Sequence, residues 1–379
     1  MPLAEGSVER WRDPRRTRRR LVDLLANLRS GSEGTIDPTP GEASLHPLER
    51  DRLERLVPPP PRHALQAAFD ALRSRAPHAL IVRPDDGAWN GLLSDGGRYG
   101  PEVVAPPDDP PLGRDLPGDL RTRLLDDELP IHLPRLERWW VRHHDGLTAL
   151  RTLLATLGAR SGPWTADVAP WAWAWMERIL PEARGLPSAW IPAPLGGADL
   201  QAWLGGDVAA ARGVATRLRL RGSGHAPDLR TYRALAERAL GEPGVARALW
   251  RACLHDGAEW TPPDDDERGH EDSDEDGDDA PPGTVWVRHP SQATLPGTRS
   301  LSHRDLLLLH AVALHGSARS DVLALASGFE RDEVAGLLRL MVAHGLVLHG
   351  EDDRVRLAPL GLPAVRSRLG VEAFVGVHE

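Results

Sequence analysis

The pattern of apolar and polar positions along the chain predicts a mainly helical protein. Leucines recur at helical spacing between Pro14 and Arg29, and similar amphipathic periods continue through most of the chain. Strands are expected in the first half only at 79–83 and 101–105, and everything from 119 to 256 is expected to be helical. The predicted helices are 48–57, 63–76, 133–157, 169–180, 207–220, 229–240 and 245–255.

One segment interrupts this pattern completely. Residues 261–284, TPPDDDERGHEDSDEDGDDAPPGT, contain no apolar residue able to anchor a core, and eleven of the 55 acidic residues lie in 264–279. Such a composition predicts a disordered acidic linker. We therefore divide the chain into a basic N-terminal helix and linker (1–44), a helical body rich in tryptophan (45–260), the acidic linker (261–284) and a C-terminal domain (285–379).

The C-terminal domain has its own succession of predicted elements. Helices are expected at 301–315, 319–326 and 330–344, and Gly345 occupies the position of a helix-terminating glycine. The segment LVLHGEDDRVRLAPLG then predicts a two-stranded hairpin. About the last 80 residues resemble the winged helix-turn-helix superfamily, whereas the rest of the chain matches no family by its motifs. The resemblance is carried by Leu323, Ala324, the turn at Gly328, Val334, Leu338 and the HGLV that leads into the hairpin.

This resemblance implies that the third helix enters the major groove of DNA while the wing follows the phosphates. Only Arg331 and Arg339 on that helix suit the task, and the carboxylates around them oppose the charge term that usually dominates DNA affinity. We therefore expect the module to dock a protein, with DNA binding as the alternative. The candidate contact residues are Glu330, Arg331, Asp332, Glu333, Gly336, Arg339, Arg354 and Arg356.

A second candidate contact is the basic head of the N-terminal helix. Its sequence, RWRDPRRTRRR, has the composition of an arm that contacts phosphates, although a solvated helix start would look the same. Both interpretations stay open. The arginines concerned are Arg15, Arg16, Arg18, Arg19 and Arg20.

Tryptophan is unusually frequent, with 13 residues, ten of them between positions 139 and 260. Clusters such as RWWVRHHD and PWAWAWMERIL fit either an aromatic core or an exposed surface that anchors a partner. The candidate aromatic surface consists of Trp139, Trp140, Trp171, Trp173 and Trp175.

Composition excludes several enzyme classes. The chain has no lysine, so it lacks a P-loop lysine, a kinase lysine and a Schiff-base lysine. Its single cysteine, Cys253, excludes a disulfide within the chain and a multi-cysteine zinc site. The dipeptides His144–Asp145 and His255–Asp256 are typical of metal-dependent hydrolases, and such a site would need further ligands such as His132 and Asp167. No catalytic residue, metal site or cofactor is predicted.

Together these patterns predict a mainly α protein, in which the linker joins the helical body to an α+β winged helix. The predicted function is that of a non-catalytic adaptor or regulatory component, which docks in a larger assembly through its winged helix and aromatic surface. A DNA-binding transcriptional regulator and a metal-dependent hydrolase are the alternatives. We expect protein partners, nucleic acid as a second kind of partner, no membrane span and a cytoplasmic location.

Overall fold

The structure is a computed structural model that describes residues 8–10, 46–60, 76–83, 102–108, 110, 116, 118–205, 217–221, 223–256, 284–298, 300–350 and 353–371. Its strands are β1 Val8–Arg10, β2 His46–Pro47, β3 His78–Val82, β4 Glu102–Val103, β5 Ile131–Leu133, β6 Trp164–Val168, β7 Trp190–Pro192, β8 Arg217–Leu220, β9 Leu254–Asp256, β10 Thr284–Val287, β11 Ala318–Arg319, β12 Val347–His349 and β13 Arg354–Leu357.

Helices make up most of the regular structure, so the prediction of a mainly α fold is confirmed, together with an α/β part. They are α1 Arg50–Leu56, α2 Gly118–Leu125, α3 His144–Ala159, α4 Pro170–Ile179, α5 Pro181–Arg184, α6 Gly197–Leu204, α7 Leu229–Arg238, α8 Pro243–Cys253, α9 His303–His315, α10 Ser320–Ser327, α11 Arg331–Ala343 and α12 Leu362–Val371. None of the helices in the described ranges is long and apolar enough to cross a membrane.

The α/β part is an open sheet in the order β1-β7-β3-β6-β5-β4. Strands β7, β3, β6, β5 and β4 run parallel, and β1 adds antiparallel at the β7 edge. The chain leaves β3 for the far edge at β4, returns through β5 to β6 beside β3, and then places β7 on the other side of β3. Such a change of direction marks the carboxyl ends of the strands as the edge where open α/β sheets bind ligands.

The expectation of helices alone between 119 and 256 is wrong, because this stretch contributes strands to both large sheets. Every residue of β6 is buried, since a central parallel strand is covered on both faces and shows no alternation of apolar and polar residues. β5 is only three residues long and stops at Pro134, so the helix predicted from Leu133 begins at His144 instead. The helix predicted over 207–220 lies largely outside the described residues, and its described end is β8.

A second sheet, in the order β2-β9-β10-β8, brings the two sides of the acidic segment together. β10 pairs parallel with β8 and antiparallel with β9, and Val285 lies opposite Asp256. β10, at the start of the predicted C-terminal domain, is therefore an inner strand between β8 and β9. The acidic residues themselves lie outside the described residues.

The C-terminal part has the predicted succession of helices α9, α10 and α11, followed by the hairpin of β12 and β13, with β11 as a third strand. Gly328 and Gly345 end α10 and α11 with φ of 74° and 67°, a conformation that a side chain would disfavour. One hydrophobic core joins these helices to α4, α6, α7 and α8 of the body, with members as distant in sequence as Trp171 and Leu309.

Candidate nucleic-acid interface and charged edge of the sheet

The exposed part of α11 combines arginines with a glycine and the apolar residues Leu340 and Val342. Val334, Leu338 and Met341 are buried, whereas Arg331 and Arg339 are exposed. Between these arginines lies Gly336, where an added Cβ would meet no atom nearer than the Arg339 guanidinium at 3.9 Å. Glycine inside a helix is unfavourable by about 1 kcal/mol relative to alanine. Packing among the described residues gives no reason for that cost.

The carboxylates that cast doubt on DNA binding are partly neutralised within the protein. Glu333 pairs with Arg304 at 2.6 Å, and the Arg304 guanidinium also lies 5.0 Å from the centre of the Phe329 ring. Glu330 and Asp332 remain exposed at the start of α11. The charge balance of this face is therefore less acidic than the sequence indicates.

The same holds at the start of α10, where Arg319 forms a two-point ion pair with Asp321. This hydrogen bonding, more than any other cause, lowers the pKa of the Asp321 carboxyl. A carboxylate held in this way is already satisfied and exerts less repulsion on an approaching phosphate.

The hairpin of β12 and β13, which occupies the position of the predicted wing, carries two further arginines on one face. Burial along β13 alternates, so Arg354 and Arg356 share the outward side while Val355 and Leu357 face the core. Among the residues that the structure describes, Arg354 donates only to the backbone carbonyls of Ser317 at 3.5 Å and Asp108 at 3.2 Å. Within the described residues, Arg356, Arg331 and Arg339 form no ion pair.

A buried ionic cluster lies at the carboxyl ends of the parallel strands. Arg83 follows β3 directly and is only 6% exposed; its guanidinium pairs with Asp167 of β6 at 2.7 Å and with the Glu137 carboxylate. Glu137 belongs to a 3-10 turn, Leu136–Arg138, that follows β5, and its other oxygen accepts from the Ala169 N–H at 3.0 Å.

His132 and Arg135 complete this cluster around Asp167. The His132 Nε2 lies 3.5 Å from the Asp167 carboxylate, and its Nδ1 contacts the Thr165 hydroxyl at 2.8 Å. Burial alone would raise the pKa of Asp167, but the hydrogen bond from His132 and the charge of Arg83 outweigh it and lower the pKa. Asp167 is therefore an anion at neutral pH.

The 3-10 turn links this cluster to the C-terminal part. His315, at the end of α9, donates from Nδ1 to the Glu137 backbone carbonyl at 3.2 Å, and its Nε2 accepts from the Arg142 N–H at 3.4 Å. The Arg142 side chain donates to His310 Nδ1 at 2.9 Å and to the Ala326 carbonyl at 3.1 Å. The sheet edge and the winged-helix region are thus directly connected through buried polar contacts.

The predicted aromatic surface is not a surface. Trp139, Trp140, Trp171 and Trp173 are between 0% and 6% exposed. Trp175 is partly buried and stacks on Trp140, with ring centroids 4.7 Å apart. The core interpretation of these residues is the correct one, because they belong to the buried hydrophobic clusters of the protein.

The hydrolase constellation is not assembled. His143, His144 and Asp145 do bring their ligand atoms within 4.8 Å of one another at the exposed start of α3. His132 and Asp167, the further ligands that such a site would need, instead belong to the cluster with Arg83. In the part of the chain that the structure describes, no other group of three such side chains could hold a metal.

The remaining candidates divide into two kinds. The arginines of the basic arm lie outside the described residues, so the arm stays a prediction. These residues are Arg15, Arg16, Arg18, Arg19 and Arg20. Cys253 is fully buried, and desolvation raises the pKa of its thiol to about 12, which fits a small core residue and not a nucleophile.

The sequence analysis missed the cluster of Arg83, Glu137 and Asp167. A signal was present in two of its members, because Arg83 ends the apolar run ALIV and Asp167 interrupts the apolar segment WTADV. A charge within or directly after a buried strand needs a partner. Recognising the second segment as a strand would have been necessary to use that signal.

Comparison with known proteins gives distant structural neighbours only. No family model and no curated protein matches the chain. Cdc6p from Pyrobaculum aerophilum is 14% identical, with 88% of this chain and 100% of that one covered and a TM-score of 0.31. The ORC2 protein of Aeropyrum pernix in ADPNP–ADP complexes is 13% identical (88% and 96% covered, TM-score 0.32), and its ADP form is 12% identical (92% and 98% covered, TM-score 0.31).

The prediction of a non-catalytic adaptor is wrong. Its aromatic docking surface lies in the core, where Trp139, Trp140, Trp171 and Trp173 are at most 6% exposed.

Proposed function

We propose that this protein binds duplex DNA through α11 and the hairpin of β12 and β13, acting as a winged helix held rigidly on an α/β core. The observation that carries the proposal is the arrangement of arginines: Arg331 and Arg339 on the outward face of α11, and Arg354 and Arg356 on the outward face of the wing. Carboxylates that would oppose phosphate, such as Glu333, are engaged with arginines of the same module.

Gly336 adds an independent argument. A partner that approaches the backbone of α11 closely would explain a glycine whose missing side chain no neighbour requires. A helix lying in the major groove makes such an approach, with Arg339 one turn away and able to form a two-point contact with guanine.

Duplex binding by the full-length chain at several salt concentrations tests this proposal. We expect affinity to fall steeply with salt, because each phosphate contact releases bound counterions. The double variant Arg331→Ala, Arg339→Ala should bind at least about tenfold more weakly, since each lost contact to a phosphate or base is worth about 1 kcal/mol or more. Arg151→Ala, at an exposed position on α3, is the matched control. Absence of duplex binding at low salt would contradict the proposal.

Gly336→Ala separates a role in binding from a role in folding. We expect the variant to be more stable to urea by about 0.5–1 kcal/mol, because alanine favours the helix. The same added methyl group should weaken duplex binding several-fold if DNA approaches this backbone. A variant that gains stability and binds DNA with unchanged affinity would show that DNA does not approach the α11 backbone closely at this position.

A nucleotide is the second candidate ligand, and the topology of the parallel sheet favours it. The change of chain direction around β3 makes the carboxyl edge the expected ligand site, and the ORC2 neighbours are described with adenine nucleotides. With no lysine in the chain, phosphate charge would have to be met by arginine and backbone N–H groups. Equilibrium dialysis of the full-length chain with labelled ADP, with and without Mg²⁺, tests nucleotide binding. If the protein retains no ADP at millimolar concentration, this second candidate is excluded.

A further inference from the structure

Three side chains that commonly bind metal ions converge at the start of α3. His143 precedes the helix in extended backbone, His144 is the first helical residue and Asp145 is the second. The Asp145 carboxylate approaches both imidazoles, with one oxygen 3.1 Å from His144 Nε2 and the other 3.6 Å from His143 Nδ1. All three ligand atoms lie within 4.8 Å of one another.

These separations fit a small divalent ion held among the three side chains. Around a tetrahedral ion with bonds of about 2.0–2.1 Å, neighbouring ligand atoms are about 3.3 Å apart. The contacts of 3.1 Å and 3.6 Å bracket that spacing. At 3.6 Å, His143 Nδ1 is too far from the carboxylate for a hydrogen bond, and among the described residues it forms no other. A metal ion would join the two groups that the direct contact leaves apart.

The backbone that carries these ligands is fixed by close packing. The His143 N–H donates to the Val141 carbonyl at 2.7 Å, and the His143 carbonyl accepts from the Leu147 N–H at 3.1 Å. A Cβ added to Gly146 would clash with the Val141 carbonyl oxygen, so the turn lies directly against the first turn of the helix. The ligands therefore start from a rigid turn, which reduces the entropy lost when they gather around an ion.

The second His–Asp dipeptide of the chain provides a structural contrast. His255 and Asp256 lie on strand β9, where successive side chains point to opposite faces. The Asp256 carboxylate is paired with Arg52 at 2.9 Å. At 143–145 the chain passes from extended into helical backbone, and this bend lets adjacent side chains meet. The dipeptide offers a ligand set only where the backbone bends.

We propose that His143, His144 and Asp145 form a binding site for a divalent transition-metal ion, with Zn²⁺ as the ion that the ligand set suits best. Imidazole nitrogen suits Zn²⁺, whereas Mg²⁺ and Ca²⁺ take oxygen ligands. The side chains of His144 and Asp145 are 79% and 52% exposed, so water can complete the coordination. The Asp145 charge also offsets the positive end of the α3 dipole, which would otherwise oppose a cation.

A bound ion would act on the contact between the two parts of the molecule. Arg142 directly precedes the ligands, and its side chain donates to His310 of α9 and to the Ala326 carbonyl of α10. An ion that ties His143 to the start of α3 holds the backbone next to Arg142. Because the ion binds the folded chain, Zn²⁺ should raise the midpoint of urea unfolding as its concentration rises.

Calorimetric titration of the full-length chain with Zn²⁺ in excess Mg²⁺ tests the site. Mg²⁺ competes for the carboxylates of residues 264–279 but not for imidazole nitrogen. We expect His144→Gln and Asp145→Asn each to weaken Zn²⁺ binding at least about tenfold, since losing even an outer-shell partner costs about 10–100-fold. His225→Gln, at an exposed position outside the cluster, is the matched control and should bind as the unmodified chain does.

The urea midpoint provides the second measurement. We expect Zn²⁺ to raise it in the unmodified chain and in His225→Gln, but not in His144→Gln. Circular dichroism without Zn²⁺ checks that each variant is folded, as the exposure of His144 and Asp145 leads us to expect. Zn²⁺ binding of equal affinity in all three variants, or no saturable Zn²⁺ binding by the unmodified chain, would overturn the site. Neither result bears on duplex binding through α11, because DNA binding needs none of these three residues.

Discussion

At the scale of single residues, Arg83 is the buried cation that compensates two buried carboxylates. It is the cation that both Glu137 and Asp167 need, and all three side chains are almost completely removed from water. A buried carboxylate without its partner is strongly destabilising, whereas the intact group contributes little beyond what apolar side chains would. The cluster therefore specifies how three strands end more than it adds stability.

Arg83→Met should lower the free energy of unfolding by about 3–5 kcal/mol, because it leaves two carboxylates buried without their cation. Urea denaturation followed by circular dichroism measures the change, and Arg151→Met at an exposed position is the control. A loss below about 1 kcal/mol, comparable to the control, would mean that water or another cation reaches the cluster.

At the scale of elements, α9 carries the contact between the two parts of the molecule. Its His310 and His315 are buried, and both face Arg142, which His310 can accept from only when its ring is neutral. Burial, followed by the charge of Arg142, lowers the pKa of each ring to about 3. The contacts of α9 with Arg142 therefore require both histidines to be neutral.

This arrangement predicts a loss of stability in acid. With folded pKa values near 3 and a reference value of 6.5, the unfolded chain binds more protons between these limits, so stability falls as pH drops through that window. Each histidine should contribute a slope of up to about 1.4 kcal/mol per pH unit there. Urea denaturation from pH 7 to pH 4 measures this slope. His310→Gln should make the free energy of unfolding depend less on pH than His303→Gln does, which changes an exposed residue at the start of α9. Equal slopes in the two variants would contradict the role of the buried histidine.

Elements whose amphipathic pattern is local were predictable, and those defined by long-range pairing were not. The helices at Pro170–Ile179, Leu229–Arg238 and Pro243–Cys253 were predicted within about two residues, because one apolar face repeats along each. β6 was missed because a strand buried on both faces has no alternation, and β8 was missed within a run that also fits a helix. The cluster around Asp167 could not be predicted, since its members meet only when β3, β5 and β6 align.

At the scale of the whole molecule, the C-terminal helices and the body share one core. Trp250 and Tyr232 from the body belong to the same buried cluster as Leu309, Leu338 and Val365 from the C-terminal part. Removing either side would expose apolar surface on the other, at a cost of roughly 25 cal/mol for each Å². The two parts are expected to fold as one unit.

We therefore predict a single cooperative unfolding transition for the full-length chain. Tryptophan fluorescence, which reports mainly on the body, and far-ultraviolet circular dichroism, to which the C-terminal helices contribute, should give the same midpoint in urea. Circular dichroism that changes in a second step, after the fluorescence change is complete, would show that the C-terminal helices unfold independently.

The pairing of Val285 with Asp256 has a consequence for the acidic residues between β9 and β10. The chain leaves the second sheet at β9 and re-enters it at the adjacent strand β10, so the two described ends of the interval 257–283 lie side by side. The entropy of closing such an interval grows slowly, by about 0.6 kcal/mol for each doubling of its length. Lengthening or shortening the interval should therefore leave the positions of the arginines of α11 and β13 relative to the sheet edge almost unchanged.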